Sequence, residues 1–111
     1  MKLDYSGMKP KKPFRGPLAG TLLSISAPQI AEIISDSEFD WVLIDMEHSA
    51  ISLESVQIAL QIMGDKILRI VRVPGNDEIW IKRVLDTGCD GILVPMVNSA
   101  AEALKVIQYS K

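Results

Sequence analysis

The feature that most constrains the fold of this chain is an alternation of short apolar runs with amphipathic stretches, repeated four times. Each apolar run has the length of a strand, and each following stretch carries apolar residues at steps of three and four, as one helix face does. The period is roughly 25 residues, which is the size of one strand–helix unit. Such units in succession predict a parallel sheet covered by helices. The predicted strands are 21–25, 41–45, 66–73 and 91–96.

Local signals mark the helices between and after these strands. Capping residues are predicted at three helix starts: Ser26, Asn76 and Ser99. Two glycines are predicted to end the second and third helices: Gly64 and Gly88. The predicted buried faces of the first and last helices are Ile30, Ile33 and Ile34, and Ala100, Ala103, Leu104 and Ile107. The pattern therefore indicates an α/β fold of four βα units.

Two architectures fit four βα units: a small doubly wound open sheet, and the N-terminal half of a (βα)8 TIM barrel. A whole barrel needs about 250 residues, and this chain has 111. The turn after the first predicted strand, residues 24–28, contains no glycine, which disfavours a dinucleotide-binding loop. We expect a flexible basic arm at residues 1–17, interrupted by prolines, and one domain at residues 18–111.

Composition excludes several partners. The formal net charge is −2 and no basic face recurs along a helix, so we expect no nucleic-acid partner. No apolar run approaches the roughly 20 residues of a membrane span, so we expect no membrane partner. The start of the chain lacks the apolar core of a secretory signal, and the single cysteine, Cys89, allows no disulfide within the chain. We therefore expect a cytoplasmic protein.

Polar residues gather where the predicted strands end. Asp45, Glu47 and His48 follow the second strand, and Arg72 lies near the end of the third. The carboxyl ends of parallel strands share one edge of the sheet, so these side chains are predicted to converge. Histidine suits proton transfer at neutral pH, and arginine offers a planar fork to a carboxylate or an enolate oxygen. The other residues at this edge are Ser24, Ser26, Met96 and Asn98.

Each of these residues also has a purely structural interpretation. His48 is the only histidine, and it could be held by hydrogen bonds without a catalytic role. Arg72 could pair with Asp45 or Glu47 only to join two loops. Arg69 lies three residues from Arg72, so it is predicted to face the helices. Cys89 is predicted to pack as an inert small residue.

A resemblance to a known family becomes specific over three blocks. Residues 39–48, 70–77 and 81–97 resemble the HpcH/HpaI aldolases, which are class II, metal-dependent aldolases of 2-oxo acids in the phosphoenolpyruvate/pyruvate barrel superfamily. The resemblance runs from about Gly20 to the last residue, with the blocks in the family's order and spacing. It implies the N-terminal half of a TIM barrel.

The resemblance implies a reaction and a role for each rim residue. A 4-hydroxy-2-oxo acid would be cleaved to pyruvate and an aldehyde. His48 would be the general base that takes the proton of the 4-hydroxyl, and Asp45 would orient and tune the imidazole. Arg72 and Glu47 would bind the substrate. Arg72 would stabilise the pyruvate enolate, and Glu47 would lie near the water network of a bound divalent cation. That cation would be Mg²⁺, Mn²⁺ or Co²⁺, acting as a Lewis acid.

The chain departs from the family pattern in one large respect. The family's metal ligands, a Glu and an Asp, belong to later strands, and no acidic residue at a strand end here replaces them. Gly75 also stands where many relatives have an aromatic residue. Citrate-lyase-like and malyl-CoA-type lyases are a further possibility, disfavoured by the Asp-x-Glu-His motif. The alternative to an incomplete aldolase is a catalytically inert half-barrel fragment or an assembly module.

A half-barrel would leave two sheet edges and one sheet face uncovered. We expect a homo-oligomer, joined through the first and fourth strands, or pairing with a C-terminal half-barrel. The inner-face side chains are predicted to be Leu22, Val42, Ile44, Ile70 and Val94.

Overall fold

The computed structural model describes residues 17–111, so the predicted arm lies outside the described residues except for Pro17. Four strands alternate with four helices. In chain order they are β1 Gly20–Leu23, α1 Pro28–Ser35, β2 Trp41–Asp45, α2 Leu53–Met63, β3 Leu68–Arg72, α3 Glu78–Leu85, β4 Gly91–Leu93 and α4 Ala100–Tyr109. The predicted succession of four βα units is therefore confirmed, although three of the strands are shorter than predicted.

The four strands form one parallel sheet in the order β1-β2-β3-β4. Each strand pairs with the next strand in sequence. The helices α1, α2 and α3 therefore each connect one strand to its neighbour in the sheet, always in the same direction along the sheet. This is the order of consecutive strands in a barrel wall and not that of a doubly wound sheet, in which the order reverses. Asp45 pairs with Arg72 at the end of the β2–β3 ladder.

The core lies between the sheet and the helices. Val42 and Ile44 of β2 are fully buried, as are Val71 of β3, Ile81 of α3 and Val84 of α3. Side chains alternate along a strand, so the neighbours of these residues point to the opposite, inner face. That face carries Leu22, Leu43, Ile70 and Leu93, and both edge leucines are exposed. The prediction was therefore right for Leu22 and Ile70 but wrong for Val42, Ile44 and Val94, which pack toward the helices.

A glycine in β1 shapes the inner face. Gly20 pairs with Trp41, and a Cβ atom at Gly20 would lie only 1.9–2.4 Å from carbons of the Trp41 ring. Only the absence of a side chain lets this ring lie against the backbone of β1.

The helix ends confirm some capping predictions and correct others. Ser99 accepts a hydrogen bond from the Glu102 backbone N–H as predicted, and Gly64 ends α2 with φ +53°. Ser26 is not a cap, because α1 begins one residue later, after Ala27, with a proline in its first turn and no side-chain cap. Asn76 is not a cap either. Asp77 takes that place and accepts from the Trp80 N–H.

The predicted apolar faces of α1 and α4 also need correction. Ala31 and Ile34 are buried in α1, whereas Ile33 is 64% exposed and Ile30 is also exposed. No residue of α4 is buried, and Leu104 is 58% exposed. Helical spacing identifies an apolar stripe but not the element that covers it. These two helices flank the two edge strands, where the described residues provide no further neighbour.

Arg69 lies on the helix side of the sheet, as predicted. Its guanidinium donates to both carboxylate oxygens of Asp90 at 3.0–3.1 Å and to the carbonyls of Leu60 and Gly88. These contacts tie β3 to the start of β4 and the end of α3. No helix among the described residues is long and apolar enough to cross a membrane.

Candidate active site

The strongest polar contact at the carboxyl edge of the sheet joins Asp45 to Arg72. The in-register pairing of β2 with β3 sets these residues side by side, and strand alternation sends both side chains to the inner face. Arg72 donates from Nε to Asp45 Oδ1 at 3.0 Å and from Nη2 to Oδ2 at 2.7 Å. This bidentate geometry is the strong, orienting form of a carboxylate–guanidinium pair.

The carboxylate of Asp45 is also bound by the loop that follows β2. Its Oδ1 accepts from the backbone N–H of Glu47 at 2.9 Å and of His48 at 3.1 Å. Its side chain is only 2% exposed. The hydrogen bonds from Arg72 outweigh the effect of burial and lower the pKa of Asp45 to about 2. The same pairing raises the pKa of Arg72. Both groups are therefore charged at neutral pH.

The imidazole of His48 pairs with Glu47 and not with Asp45. His48 Nε2 lies 2.9 Å from Glu47 Oε1, and the same carboxylate oxygen lies 3.6 Å from Arg72 Nε. The expected contact between Asp45 and the imidazole is therefore wrong in this structure. Asp45 instead holds the backbone of His48, while Glu47 holds its ring.

This pairing defines what the rim can do chemically. In the neutral tautomer with the proton on Nε2, the Nε2–H group donates a hydrogen bond to Glu47. The Nδ1 atom then keeps its lone pair. The His48 side chain is 73% exposed, so that lone pair is accessible from the rim. Within residues 17–111, Nη1 of Arg72 makes no hydrogen bond, which leaves a donor for an oxygen anion. The rim thus combines a proton acceptor with a fixed cation.

The other predicted rim residues do not join this group. Ser26 Oγ is hydrogen-bonded to Ser55 Oγ at 2.7 Å, which links the β1–α1 loop to α2. No hydrogen bond among the described residues connects the side chains of Ser24, Met96 or Asn98 to Asp45, Glu47, His48 or Arg72. The structure therefore gathers four of the eight residues predicted at this edge.

Sequence reasoning missed the contacts of two polar residues, Ser49 in the loop of the rim and Asn76 beside α4. Ser49 Oγ donates to the Asp45 carbonyl and accepts from the Ile51 N–H, which closes the loop after β2. Asn76 donates from Nδ2 to the Glu102 carbonyl, while its buried Oδ1 has no partner in the described part of the chain. The position of Ser49 four residues after Asp45 was the sequence signal for its contact with the Asp45 carbonyl. No sequence signal distinguished the role of Asn76 from that of a helix cap.

Cys89 is separate from this rim. It packs against the core between α3 and β4, and burial raises the pKa of its thiol. A protonated, partly buried thiol is a poor nucleophile, in agreement with the prediction of a packing role.

The residues of the rim do not fit a metal ion. Residues 17–111 contain no cluster of three or more histidine, cysteine, aspartate or glutamate side chains suited to bind one. The Asp45 carboxylate is already occupied by Arg72 and two backbone N–H groups. The divalent cation implied by the resemblance therefore has no site in this part of the chain.

Comparison with known proteins gives the family. Residues 19–111 match the model of the HpcH/HpaI aldolase/citrate lyase family. A 4-hydroxy-2-oxovalerate aldolase of Novosphingobium aromaticivorans is 38% identical over 94 residues, which cover 83% of this chain and 36% of that protein.

Solved structures agree with the fold. A HpcH/HpaI aldolase/citrate lyase family protein from Burkholderia cenocepacia J2315 superposes with a TM-score of 0.81 at 28% identity, over 86% of this chain and 38% of that one. The citrate synthase SbnG superposes with a TM-score of 0.79 at 34% identity, over 85% of this chain and 39% of that one.

The chain thus spans little more than a third of the proteins it matches. It corresponds to their N-terminal part, so the predicted half of a TIM barrel is confirmed. The motif Asp45-Met46-Glu47-His48, the paired Arg72 and the parallel four-stranded sheet all lie within the matched residues. The chain belongs to the HpcH/HpaI aldolase/citrate lyase family.

Proposed function

We propose that this chain supplies the proton-transfer and enolate-binding groups of an aldolase that cleaves 4-hydroxy-2-oxo acids to pyruvate and an aldehyde. The observation that carries the proposal is the rim itself, where an accessible imidazole lies 2.9 Å from Glu47 and a guanidinium is fixed by Asp45. Family membership and the names of the aldolase relatives support this reaction class.

The proposed steps follow from what each group can do. Nδ1 of His48 accepts the proton of the substrate's 4-hydroxyl, so that the C4 oxygen forms a carbonyl as the C3–C4 bond breaks. The electron pair of that bond passes into the 2-oxo group and gives the pyruvate enolate. Protonation of this enolate at C3 gives pyruvate, and release of the abstracted proton restores the neutral imidazole. Arg72 offers its free donor to the enolate oxygen. Glu47 keeps the ring oriented and faces the substrate side of the rim, and Asp45 holds both Arg72 and the loop.

The described residues account for only part of such a catalyst. They do not fit a metal ion, so we place the cation of the complete enzyme in the second half of the barrel. We infer that residues 17–111 act as an aldolase only with a second half-barrel, in the cytoplasm.

A related reaction has specific support. The citrate synthase SbnG is 34% identical to this chain over 85% of this chain and 39% of SbnG. Bond formation from an enolate uses the same two groups as bond cleavage, an enolate-binding cation and a proton donor or acceptor. The second candidate is therefore condensation of an enolate with a carbonyl compound. Release of pyruvate from a 4-hydroxy-2-oxo acid distinguishes cleavage from it.

The test is an assay of pyruvate formation from 4-hydroxy-2-oxovalerate with Mn²⁺. The chain is measured alone and with a polypeptide that carries the second half of an aldolase relative. We expect negligible turnover alone, because a metal contributes several kcal/mol to enolate formation and each ~1.4 kcal/mol is tenfold in rate. With the second half, His48→Ala should lower the rate by roughly 10²- to 10⁴-fold, and Arg72→Lys should also impair it. Gln61→Ala, exposed on α2, is the matched control.

Two results would contradict the proposal. EDTA-sensitive cleavage by the chain alone would mean that a metal site exists within it. Near-full activity of His48→Ala in the complemented enzyme would assign the proton transfer to another group.

A further inference from the structure

The four βα units form two structural repeats that are offset by 50 residues. Helix α1 occupies 28–35 and α3 occupies 78–85. The β1–β2 ladder begins with Gly20 opposite Trp41, and Ile70 lies opposite Gly91 in the β3–β4 ladder. The first repeat therefore consists of β1, α1 and β2, and the second of β3, α3 and β4.

Side-chain hydrogen bonds repeat at the same offset. Asp40 accepts from the Ala19 N–H at 2.9 Å, and Asp90 accepts from the Arg69 N–H at 2.8 Å. After the helices, Ser37 donates to the Ile34 carbonyl and Thr87 donates to the Val84 carbonyl. The repeats thus share their internal contacts as well as their topology.

The seam between the two repeats shows how one such unit joins the next. At this seam β2 pairs with β3, from Trp41 opposite Leu68 to Asp45 opposite Arg72. By the offset, β4 is the equivalent of β2, and β1 is the equivalent of β3. The open edge of β4 can therefore accept β1 of another copy through the same type of seam.

The register gives an independent reason for two copies. Gly20 of β1 pairs with Trp41 of β2, and Trp41 pairs with Leu68 of β3. The residue of β3 that is equivalent to Gly20 is Ile70, two residues after Leu68. Each repeat therefore shifts the register by two residues, and the four repeats of two chains shift it by eight. Eight strands with a shear of eight close a (βα)8 barrel.

The backbone of the open β4 edge is compatible with such pairing. Val73 donates to the Leu93 carbonyl, so Leu93 faces β3. Backbone groups alternate along a strand, so those of Ile92 and Val94 face the open edge. Pro95, which lacks an N–H, again faces β3 and leaves no missing donor on the open side.

Within residues 17–111, β1 and β4 each have one unpaired edge, and apolar side chains border both edges. On the inner face, Leu22 of β1 is 48% exposed and Leu93 of β4 is 45% exposed. On the outer face, Ile33 of α1 and Leu104 of α4 are exposed beside the same two edges. In a dimer with twofold symmetry, the apolar residues of β4 and α4 of one copy would contact those of β1 and α1 of the other. The symmetry would form this contact twice.

We propose that two copies of this chain close an eight-stranded parallel barrel, with β4 of each copy paired to β1 of the other. The β2–β3 seam fixes the register: Ile92 lies opposite Ala19 of the second copy, and Leu93 lies opposite its Gly20. The proposal rests on the ladders and the exposed edges. It uses the same two edges as the second half-barrel of the proposed function, so the two assemblies compete for them.

The first test is disulfide trapping in the 111-residue chain with Cys89→Ala as background. Ala19→Cys combined with Ile92→Cys should give a covalent dimer on copper-phenanthroline oxidation. Within one chain these positions lie three strand spacings apart, roughly 14 Å, and a disulfide bridges Cα atoms only within about 7 Å. Ala19→Cys with Val94→Cys is the matched control. In the proposed register Val94 lies two residues beyond the partner of Ala19, so the two Cα atoms are roughly 8 Å apart across the seam. Trapping of the control pair instead would overturn the register.

The second test is the molar mass from light scattering with gel filtration at micromolar concentration. We expect the wild type to have the mass of two chains. The Leu22→Lys variant, which places a charge at the seam, should have the mass of one chain. Ile79→Lys, at a position on α3 that is even more exposed than Leu22, should remain dimeric. Far-UV circular dichroism checks that each variant is folded. A folded wild-type monomer, or a dimer that Leu22→Lys does not weaken, would overturn the proposal.

Discussion

Asp45 is the residue on which the geometry of the rim depends most. It accepts four hydrogen bonds, two from the Arg72 guanidinium and two from the backbone N–H groups of Glu47 and His48. A buried carboxylate with this many donors stabilises the folded state only while it is ionised. Its removal therefore affects the loop after β2 and Arg72 together.

The lowered pKa of Asp45, about 2 against 3.8, makes stability depend on pH. Because the folded pKa is the lower one, the unfolded chain binds the proton more readily, so stability falls as pH falls. The contribution is complete above pH 3.8, amounts to about 2 kcal/mol, and is lost as pH decreases toward 2. Urea unfolding of the wild type and Asp45→Asn from pH 6 to pH 2 measures it.

Asp45→Asn should be less stable at pH 6, and its stability should change less between pH 4 and pH 2. Asp36→Asn is the matched control, since Asp36 forms an exposed pair with Lys66 and such pairs contribute about 0–1 kcal/mol. Equal acid sensitivity of wild type and Asp45→Asn would show that other carboxylates dominate.

Sequence reasoning located these residues and named a pairing of Arg72 with Asp45 or Glu47 as one interpretation, but it assigned the imidazole to the wrong carboxylate. The strand-end rule placed Asp45, Glu47, His48 and Arg72 on one edge, and all four lie there. Which carboxylate meets which cation depends on the register of β2 with β3 and on side-chain rotamers. Neither is encoded in residue spacing. The structure accordingly gives Glu47 the contact with the imidazole that was expected of Asp45.

At the scale of elements, the helix starts show where local signals suffice. Ser99 and Ser52 begin α4 and α2 with side chains that accept from backbone N–H groups. Ser26 has the same residue type and a glutamine three residues later, yet α1 begins after Ala27. Pro28 at the start of α1 lacks an N–H and needs no cap there, and Ser26 bonds Ser55 instead.

Alanine substitutions distinguish true caps from apparent ones. Ser52→Ala should lower the free energy of unfolding by about 1 kcal/mol, since an N-cap hydrogen bond is lost. Ser26→Ala removes only an exposed hydroxyl contact, so its effect should stay within about 0.5 kcal/mol. Chemical denaturation at pH 7 measures both. A larger loss for Ser26→Ala than for Ser52→Ala would mean that the sequence pattern, and not the observed helix start, identifies the cap.

At the scale of the whole molecule, helices bury one side of the sheet, and no described element covers the other side. Val42 and Ile44 are fully buried beneath the helices, whereas Leu22 and Leu93 on the inner face are exposed. The alternation within each strand was predictable, but which set faces the helices was not. That choice depends on how each helix crosses over the sheet. The proposed two-copy barrel would cover this exposed apolar area.

If two copies close a barrel, unfolding is coupled to dissociation and the midpoint temperature rises with protein concentration. Each tenfold increase adds about 1.4 kcal/mol to the stability of the dimer, and the unfolding entropy of two chains of this size converts that into about 3–4 °C. Differential scanning calorimetry from 5 to 500 μM measures the shift. Leu22→Lys should show a lower midpoint that does not change with concentration and should bind a hydrophobic dye through its uncovered inner face. A wild-type midpoint that is independent of concentration, in a chain that binds no such dye, would mean that the inner face is covered within a single copy.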